Sequence, residues 1–224
     1  MLDARHPGPE IIDDPDLPAE DFAAAMRDLA KVNFWLRGHA PTLAWLKHET
    51  KDLNEFSLLD VGAGQGDLLR SIEHWAAKAG KRAHLYGIDL AEGGALASGR
   101  AGTGATYIVG DVFAHRPQRP YDFIVSALFT HHLTDEQIVR FLCWMDESAA
   151  RGWHINDLHR HPLALAGYSA LAAVMRWHPI VRQDGRLSVR RAFTRADWER
   201  LATDAGVNAR ISWHPLFRWG VAKA

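Results

Sequence analysis

Apolar positions along the chain follow two periodicities that alternate from residue 57 onwards. Short runs rich in β-branched and aromatic residues predict strands, and they are separated by stretches in which apolar residues recur every three or four positions, as in amphipathic helices. The first five predicted strands cover 57–61, 83–89, 105–109, 121–125 and 152–157. Strands that alternate with helices are typical of a parallel sheet covered on both faces.

Two further strand-like runs, 209–215 and 216–224, follow each other with only a Pro-containing turn between them. A parallel connection needs a crossover of about a dozen residues or more, so this pair is predicted to form an antiparallel hairpin. The sequence therefore predicts an α/β fold. We expect a Rossmann-like, doubly wound sheet of seven strands, mostly parallel, with a C-terminal antiparallel hairpin and helices on both faces.

The first 50 residues and one internal stretch fall outside this alternation. Residues 1–50 predict a loose acidic, Pro-rich tail followed by two cap helices, and 51–224 predict the main domain. An insertion at 158–193 is expected above the C-terminal edge of the sheet, where ligands bind in open α/β folds. Its uncharged stretch, 162–175, predicts either a core helix or a lid over an apolar ligand, and an Arg-rich connector follows.

Composition narrows the picture by exclusion. The 224 residues are 47% hydrophobic and 24% charged, which is typical of a globular domain. The single cysteine rules out an internal disulfide, and a net charge of −1 gives no reason to expect nucleic acid. The longest uncharged stretch, 161–175, is too short for a transmembrane helix, and the acidic N-terminus does not resemble a signal peptide. We expect a cytoplasmic protein without stable membrane insertion, and the oligomeric state stays open.

The strongest chemical signal is LLDVGAGQGDLL, where a predicted strand passes into a predicted helix. Its spacing, Asp60-x-Gly62-x-Gly64-x-Gly66, lets the backbone turn sharply and lie against a ligand with no Cβ in the way. The dinucleotide motif has the spacing GxGxxG and holds a pyrophosphate at the helix N-terminus. Here the third glycine comes one residue early and an acidic residue stands in the first helical turn, which disfavours phosphate.

Two acidic residues follow the next two predicted strands. Asp89 lies 23 residues past Gly66, close to the offset at which an acidic residue binds ribose hydroxyls. Asp111 follows the third strand, where a carboxylate could accept a hydrogen bond from an exocyclic amine while Val112 packs on a purine face. The ends of three successive strands therefore predict one nucleoside-binding edge.

Together these segments resemble the class I S-adenosylmethionine-dependent methyltransferases. DVGAGQG, YGID, VGDV and the terminal hairpin carry the resemblance over about residues 55–224, and SALFTHHL is similar to the small-molecule branch. The resemblance implies S-adenosyl-L-methionine as cofactor, with its methionine part at the Gly-rich loop, its ribose at the acid after strand two and its adenine at the GD pair. The cofactor-binding residues that it implies are Asp60, Gly62, Ala63, Gly64, Gly66, Asp89, Leu90, Gly110, Asp111, Val112, Ser126 and Ala127.

Histidines after the fourth and fifth predicted strands are the candidates for proton removal from a hydroxyl acceptor, because their pKa lies near neutrality. His131 and His132 are predicted to be catalytic, with a packing or hydrogen-bonding role as the alternative. His159 and His161 are weaker candidates, one of which Asp157 could orient. His154, His159 and His161 lack the spacing and the cysteine partners of common zinc sites. A magnesium site would need several carboxylates, and Asp157 alone does not supply them, so no metal is expected.

The remaining predictions concern the methyl acceptor. The segment after strand four lacks the motifs of nucleic-acid-base and protein-arginine methyltransferases, so we expect a small, largely apolar molecule as acceptor. The leading prediction is O-methylation of a phenolic or polyketide-like compound. C- or N-methylation is the alternative, and a nicotinamide-dependent oxidoreductase or a non-catalytic cofactor-binding protein is less favoured. The Arg-rich segment 176–200 leaves a carrier-bound or lipid-like acceptor open. The predicted substrate-contacting residues are Asn33, Trp35, Arg37, Asp157, His159, His161 and Tyr168.

Overall fold

A computed structural model describes residues 2–14, 16–90 and 104–223. Its strands form one seven-stranded sheet in the order β3-β2-β1-β4-β5-β7-β6. Strand β7 runs antiparallel to both β5 and β6, and the remaining pairs are parallel. The predicted mostly parallel sheet with a C-terminal hairpin is therefore confirmed. The strands are β1 Glu55–Val61, β2 Arg82–Asp89, β3 Thr106–Val109, β4 Tyr121–Ala127, β5 Ala149–Leu158, β6 Ala209–His214 and β7 Arg218–Lys223.

Helices cover both faces of the sheet, and two of them begin with a capping box. Thr134 accepts a hydrogen bond from the backbone N–H of Gln137, and Thr194 does the same with Asp197, which satisfies N–H groups that the helix itself leaves unpaired. The helices in the described ranges are α1 Ala19–Trp35, α2 Ala40–Glu49, α3 Asp67–Lys78, α4 Asp135–Ser148, α5 Pro162–Val174, α6 Pro179–Arg191 and α7 Arg195–Asp204.

The two faces of the sheet carry separate hydrophobic cores because successive strand residues point in opposite directions. Leu59 of β1 belongs to the core that includes α4 and α7 residues. Its neighbour Leu58 belongs to the core beneath α2 and α3, together with Phe123 of β4. Both leucines are fully buried. The central strands are therefore held from both sides, which fixes the positions of the loops at their C-terminal ends.

Helix α6 replaces the connector that the sequence predicts after residue 175. Its buried face includes Ile180, Val181 and Val189, but the same stripe also contains Asp184, Ser188 and Arg191. Polar residues on a buried helical face break the apolar periodicity from which helices are predicted. The helix is recognisable only once the partners of those polar groups are known.

Those partners lie in residues 2–14, which we call the N-terminal segment. Asp184 accepts hydrogen bonds from the backbone N–H groups of Ile11 (3.0 Å) and Ile12 (2.9 Å), at the start of a short 3₁₀ helix. Arg191 donates to the carbonyl of Gly8, and Arg5 forms an ion pair of 2.6 Å with Asp135. The prediction of a loose acidic tail is wrong, since long-range hydrogen bonds hold this segment on the protein.

Helix α5 is less buried than its composition suggests. Ala164 and Ala172 are its buried residues, whereas Leu163 is 65% and Val174 78% exposed. The alternative of a core helix is therefore wrong. Helices α5 and α6 and the N-terminal segment together form a layer that we call the roof. None of the helices in the described ranges is both long and apolar enough to span a bilayer.

Candidate functional site

The glycine-rich loop after β1 adopts a left-handed backbone that favours glycine. Gly62 has φ +73°, and a Cβ there would come within 2.7 Å of the Phe129 ring. Gly64 has φ +49°, yet a Cβ there would meet no heavy atom within 4 Å. The two glycines therefore differ in role, because Gly62 makes room for a protein ring whereas Gly64 borders open space in which a ligand can lie.

Two carboxylates, those of Asp89 and Asp60, lie at the strand ends beside this loop. The backbone N–H of Gly64 donates to Oδ2 of Asp89 at 2.8 Å, and the N–H of Gly110 donates to the Asp89 carbonyl at 2.9 Å. Asp60 is 2% exposed, and its burial, together with the nearby Asp89 carboxylate, raises its pKa well above the usual range. The ends of β1, β2 and β3 thus meet as the sequence predicts.

The other predicted cofactor residues divide into accessible and structural positions. Leu90 is 72% exposed, and Asp111 caps the following turn by accepting from the N–H of Phe113 at 2.9 Å. Val112 is buried in the core. Ser126 is fully buried and donates to the Val61 carbonyl at 3.0 Å, so its hydroxyl ties β4 to β1.

His131 lies in a short 3₁₀ helix, Thr130–His132, directly after β4. Asp157, near the end of β5, is 2.7 Å from Nδ1 of His131 and accepts from the Thr130 hydroxyl (2.5 Å) and the His131 backbone N–H (3.0 Å). Burial acts to raise the pKa of Asp157, but His131 and these hydrogen bonds outweigh it and lower the pKa to about 2. The carboxylate is thus ionised and fixes the imidazole with Nε2 facing away from it.

Glu10 of the N-terminal segment lies on that Nε2 side. Its Oε1 is 3.7 Å from Nε2 of His131 and its Oε2 is 3.9 Å from Nε2 of His132. Ser188 of α6 donates to Oε1 at 2.7 Å. Burial raises the pKa of Glu10 to about 6, against the opposing effects of His132 and Ser188. A residue that the sequence places in a solvated acidic tail therefore reaches the centre of the site.

The pairing of Asp157 differs from the one that the sequence suggests, since it orients His131 and neither His159 nor His161. The ring of His159 packs against Trp219 at 4.9 Å between centroids. His161 caps α5 by accepting from the N–H of Leu163 at 3.2 Å.

Other predicted substrate residues lie at the ends of α1 and within the roof. Tyr168 donates its hydroxyl to the Val181 carbonyl at 2.6 Å and so joins α5 to α6. Trp35 is 59% exposed, and Arg37 has φ +48° in the turn after α1. Asn33 accepts from the N–H of Gly38 at 2.7 Å through its carbonyl. This turn lies over the end of β5.

Sequence reasoning missed a buried polar group beneath that turn. Asn156 donates to the Gly38 carbonyl at 2.6 Å, and its Oδ1 has no hydrogen-bond partner within the described ranges. Arg218 is 2% exposed, and its Nε and Nη1 likewise lack partners there. Burial lowers the pKa of Arg218 to about 10, which the Asp157 carboxylate partly opposes. An arginine between two aromatic residues in an inner strand was the available signal.

The described side chains include one group able to hold a metal ion, formed by Glu10, His131 and His132. Its members come from two parts of the chain that are more than a hundred residues apart. The prediction that no metal binds rests on the spacing of His154, His159 and His161, which carries no information about this group.

Comparisons with known proteins agree with this geometry. Residues 58–152 match a family model described as a methyltransferase domain, and no curated protein matches the sequence significantly. A plantazolicin methyltransferase, BpumL, solved with SAH, has a TM-score of 0.70 at 17% identity, over 95% of this chain and 92% of that chain.

Two other solved structures have the same fold. Magnesium protoporphyrin IX methyltransferase from Synechocystis PCC 6803, with bound SAH, gives a TM-score of 0.55 at 17% identity, over 84% of this chain and 83% of its own. A SAM-dependent methyltransferase from Aquifex aeolicus gives 0.56 at 18% identity, over 80% and 86% respectively. At these identities the likeness establishes the fold.

Proposed function

We propose that this chain, a class I S-adenosylmethionine-dependent methyltransferase, methylates an oxygen atom of a small, largely apolar molecule, with a phenolic or polyketide-like compound as the leading candidate. The observation that carries the proposal is the His131–Asp157 pair, held at 2.7 Å where β4 and β5 end. A hydroxyl acceptor must lose its proton during transfer, whereas a free amine already has a lone pair.

The residues around the Gly-rich loop fit the cofactor. The open space beside Gly64 leaves room for the methionine part of the cofactor against the backbone. Asp89 and Asp111, at the neighbouring strand ends, are the proposed contacts of the ribose and the adenine. S-adenosylmethionine supplies an activated methyl group on a sulfonium. The protein therefore has mainly to align the acceptor with that methyl and to exclude water.

His131 is the proposed proton acceptor, with Asp157 holding its ring. Because Nδ1 faces Asp157, Nε2 is the nitrogen left to take the acceptor's proton. With S-adenosylmethionine bound, the acceptor oxygen would gain the methyl carbon, the sulfur would keep the electron pair of the broken bond, and His131 would hold the proton. Glu10 now faces this Nε2 at 3.7 Å, so an acceptor would have to displace the N-terminal segment to reach it.

A carrier-bound acceptor is supported by the outer face of α6. Arg182, Arg186 and Arg190 recur at helical spacing and, together with His6, line a groove of about 560 Å³. Such a stripe suits an anionic carrier or headgroup. Reversal of charge at Arg182 and Arg186 should then weaken methylation of carrier-bound acceptors and leave free acceptors unaffected.

The test is methyl transfer from labelled S-adenosylmethionine to matched acceptors that differ in one group: a phenol, its aniline analogue and its methyl ether. We expect label in the phenol and none in the ether. Transfer to the aniline alone would instead establish the N-methylation alternative. Calorimetry with S-adenosylhomocysteine and with NAD distinguishes a methyltransferase from an oxidoreductase. We expect binding of S-adenosylhomocysteine, and binding of NAD alone would contradict the proposal.

The role of His131 is tested with His131→Gln. The variant should lower kcat at least about tenfold, in line with the loss of a general base, while the affinity for S-adenosylhomocysteine stays unchanged. His48→Gln, at an exposed position, is the matched control. Equal turnover in the two variants would remove His131 from the mechanism.

A further inference from the structure

Three side chains converge where the N-terminal segment crosses His131 and His132. Glu10 and the two histidines each offer one ligand atom, and these atoms all lie within 4.8 Å of one another. The separations of 3.7 and 3.9 Å between Glu10 oxygens and the two Nε2 atoms are too long for hydrogen bonds. They suit two ligands that each lie about 2 Å from a shared ion.

The far side of each imidazole is held by a carboxylate. Nδ1 of His131 is 2.7 Å from Asp157, and Nδ1 of His132 is 3.0 Å from Asp13. A histidine that binds a metal usually donates its other ring N–H to a carboxylate, which fixes the tautomer and the ring orientation. Both Nε2 atoms are thereby left as acceptors, and both face Glu10.

We infer that Glu10, His131 and His132 form a binding site for a divalent transition metal ion of the Zn²⁺ class. Two imidazole nitrogens and one carboxylate are a donor set typical of Zn²⁺ and its neighbours, whereas Mg²⁺ and Ca²⁺ prefer oxygen ligands. The Ser188 hydroxyl, 2.7 Å from Oε1, would orient the carboxylate, and water would complete the coordination.

Such an ion would link the N-terminal segment to the short 3₁₀ helix that follows β4. It would also occupy the Nε2 of His131 that the proposed function assigns to proton removal. A molecule with the ion bound is therefore closed and inactive. Only this effect on turnover rests on the proposed function, since binding of the ion requires neither cofactor nor acceptor.

The test is a titration of the chelator-treated full chain with Co²⁺, followed by the visible absorption of four-coordinate cobalt. We expect saturation near one equivalent, displacement by Zn²⁺ and no displacement by Mg²⁺. Glu10→Gln and His132→Ala should each weaken binding at least about tenfold, because each removes one of three ligands. Glu20→Gln and His48→Ala, at exposed positions, are the matched controls and should bind as the unaltered chain does.

A second measurement separates loss of the site from loss of the fold. Zn²⁺ should raise the Tm of the unaltered chain by mass action and slow proteolytic cleavage of the N-terminal segment. At the same Zn²⁺ concentration, both effects should be clearly smaller in Glu10→Gln. Equal Co²⁺ affinity in Glu10→Gln and Glu20→Gln, or cobalt bound without the four-coordinate absorption, would overturn the inference. Neither result bears on methyl transfer, which is measured separately.

Discussion

The Gly-rich loop and the roof are built from contacts of very different range along the chain. In the loop, Gly64 bonds to Asp89, 25 residues away. In the roof, Ser188 bonds to Glu10 across 178 residues, and Arg5 bonds to Asp135 across 130. The loop is therefore specified by a local motif on strands that the core already fixes, whereas the roof exists only when distant segments have met.

The two regions also differ in the forces that hold them. Backbone geometry and apolar packing fix the loop, and Phe129 against Gly62 is an example. The roof relies on buried polar groups such as Glu10, Asp184 and Arg191. Because removal of one partner leaves the other buried and unpaired, the roof should be the more sensitive region to conservative polar substitutions.

The largest effect is expected for Asp157→Asn, which keeps the shape and removes the charge. The amide cannot accept all of the bonds from Thr130 and His131, and it removes the negative charge that favours the protonated form of Arg218. We expect the free energy of unfolding in urea to fall by about 3 kcal/mol. Asp52→Asn, on the surface, should change it by less than about 0.5 kcal/mol. A loss below about 1 kcal/mol in Asp157→Asn would show that this carboxylate does not hold the Thr130–His132 turn, to which Arg191 of the roof donates.

Gly185→Ala tests the packing between α5 and α6. A Cβ at Gly185 would overlap the Tyr168 ring, whose hydroxyl is bonded to Val181, so we expect a loss of about 2 kcal/mol by overpacking. Gly167→Ala is the matched control, since a Cβ there meets no atom within 4 Å and should stabilise the helix by up to about 1 kcal/mol. Thermal unfolding of both variants measures the difference, and equal Tm values would contradict the packing.

His154 makes the sheet itself sensitive to pH. Burial, with smaller effects of His214 and Arg210, lowers its pKa from 6.5 to about 3. The neutral ring therefore stabilises the folded state above pH 6.5, and this contribution is lost as the pH falls towards 3. From about pH 7 to about pH 5 the free energy of unfolding should drop by about 2 kcal/mol through this group.

The matched variant is His154→Gln, which is neutral throughout. It should be less stable than the unaltered chain at pH 7 but lose less stability on acidification. In the control His48→Gln, the free energy of unfolding should depend on pH as it does in the unaltered chain. His39, whose pKa burial lowers to about 4, acts in the same direction, so some slope remains. An unchanged pH dependence in His154→Gln would show that this ring binds protons equally in the folded and the unfolded state.

The smallest change in stability is expected for Gly64→Ala, where only backbone strain acts. A left-handed alanine costs about 1 kcal/mol, but its methyl group would enter the open space beside the loop. The affinity for S-adenosylhomocysteine should fall at least about tenfold. Gly80→Ala has the same kind of backbone, φ +67°, and equally free space, so it should lose similar stability and keep full affinity. Equal affinities would place the cofactor elsewhere.

Most of the sheet could be predicted from the sequence because each strand and its turn carry their own signal. The hairpin follows from the short connection between β6 and β7, and the capping boxes at Thr134 and Thr194 place two helices. The Gly-rich loop is likewise a local pattern on a predicted strand.

The roof could not be predicted, for a reason that α6 makes plain. Its buried Asp184 and Ser188 look like solvent-facing residues until Ile11 and Glu10 are seen against them. Asp157 offers the same lesson, since its partner His131 lies on another strand end and was not distinguishable from the nearer His159. Polar groups that pair across long stretches of chain produce no periodic pattern in the sequence from which their contacts could be predicted.

The position of the N-terminal segment has a consequence for how the protein is made. Arg5 and Glu10 are bonded to Arg191 and Ser188, which are synthesised 186 and 178 residues after them. Contacts of such long range form late and slowly. We therefore expect His131 and His132 to stay uncovered during synthesis at least until these residues of α6 have been made.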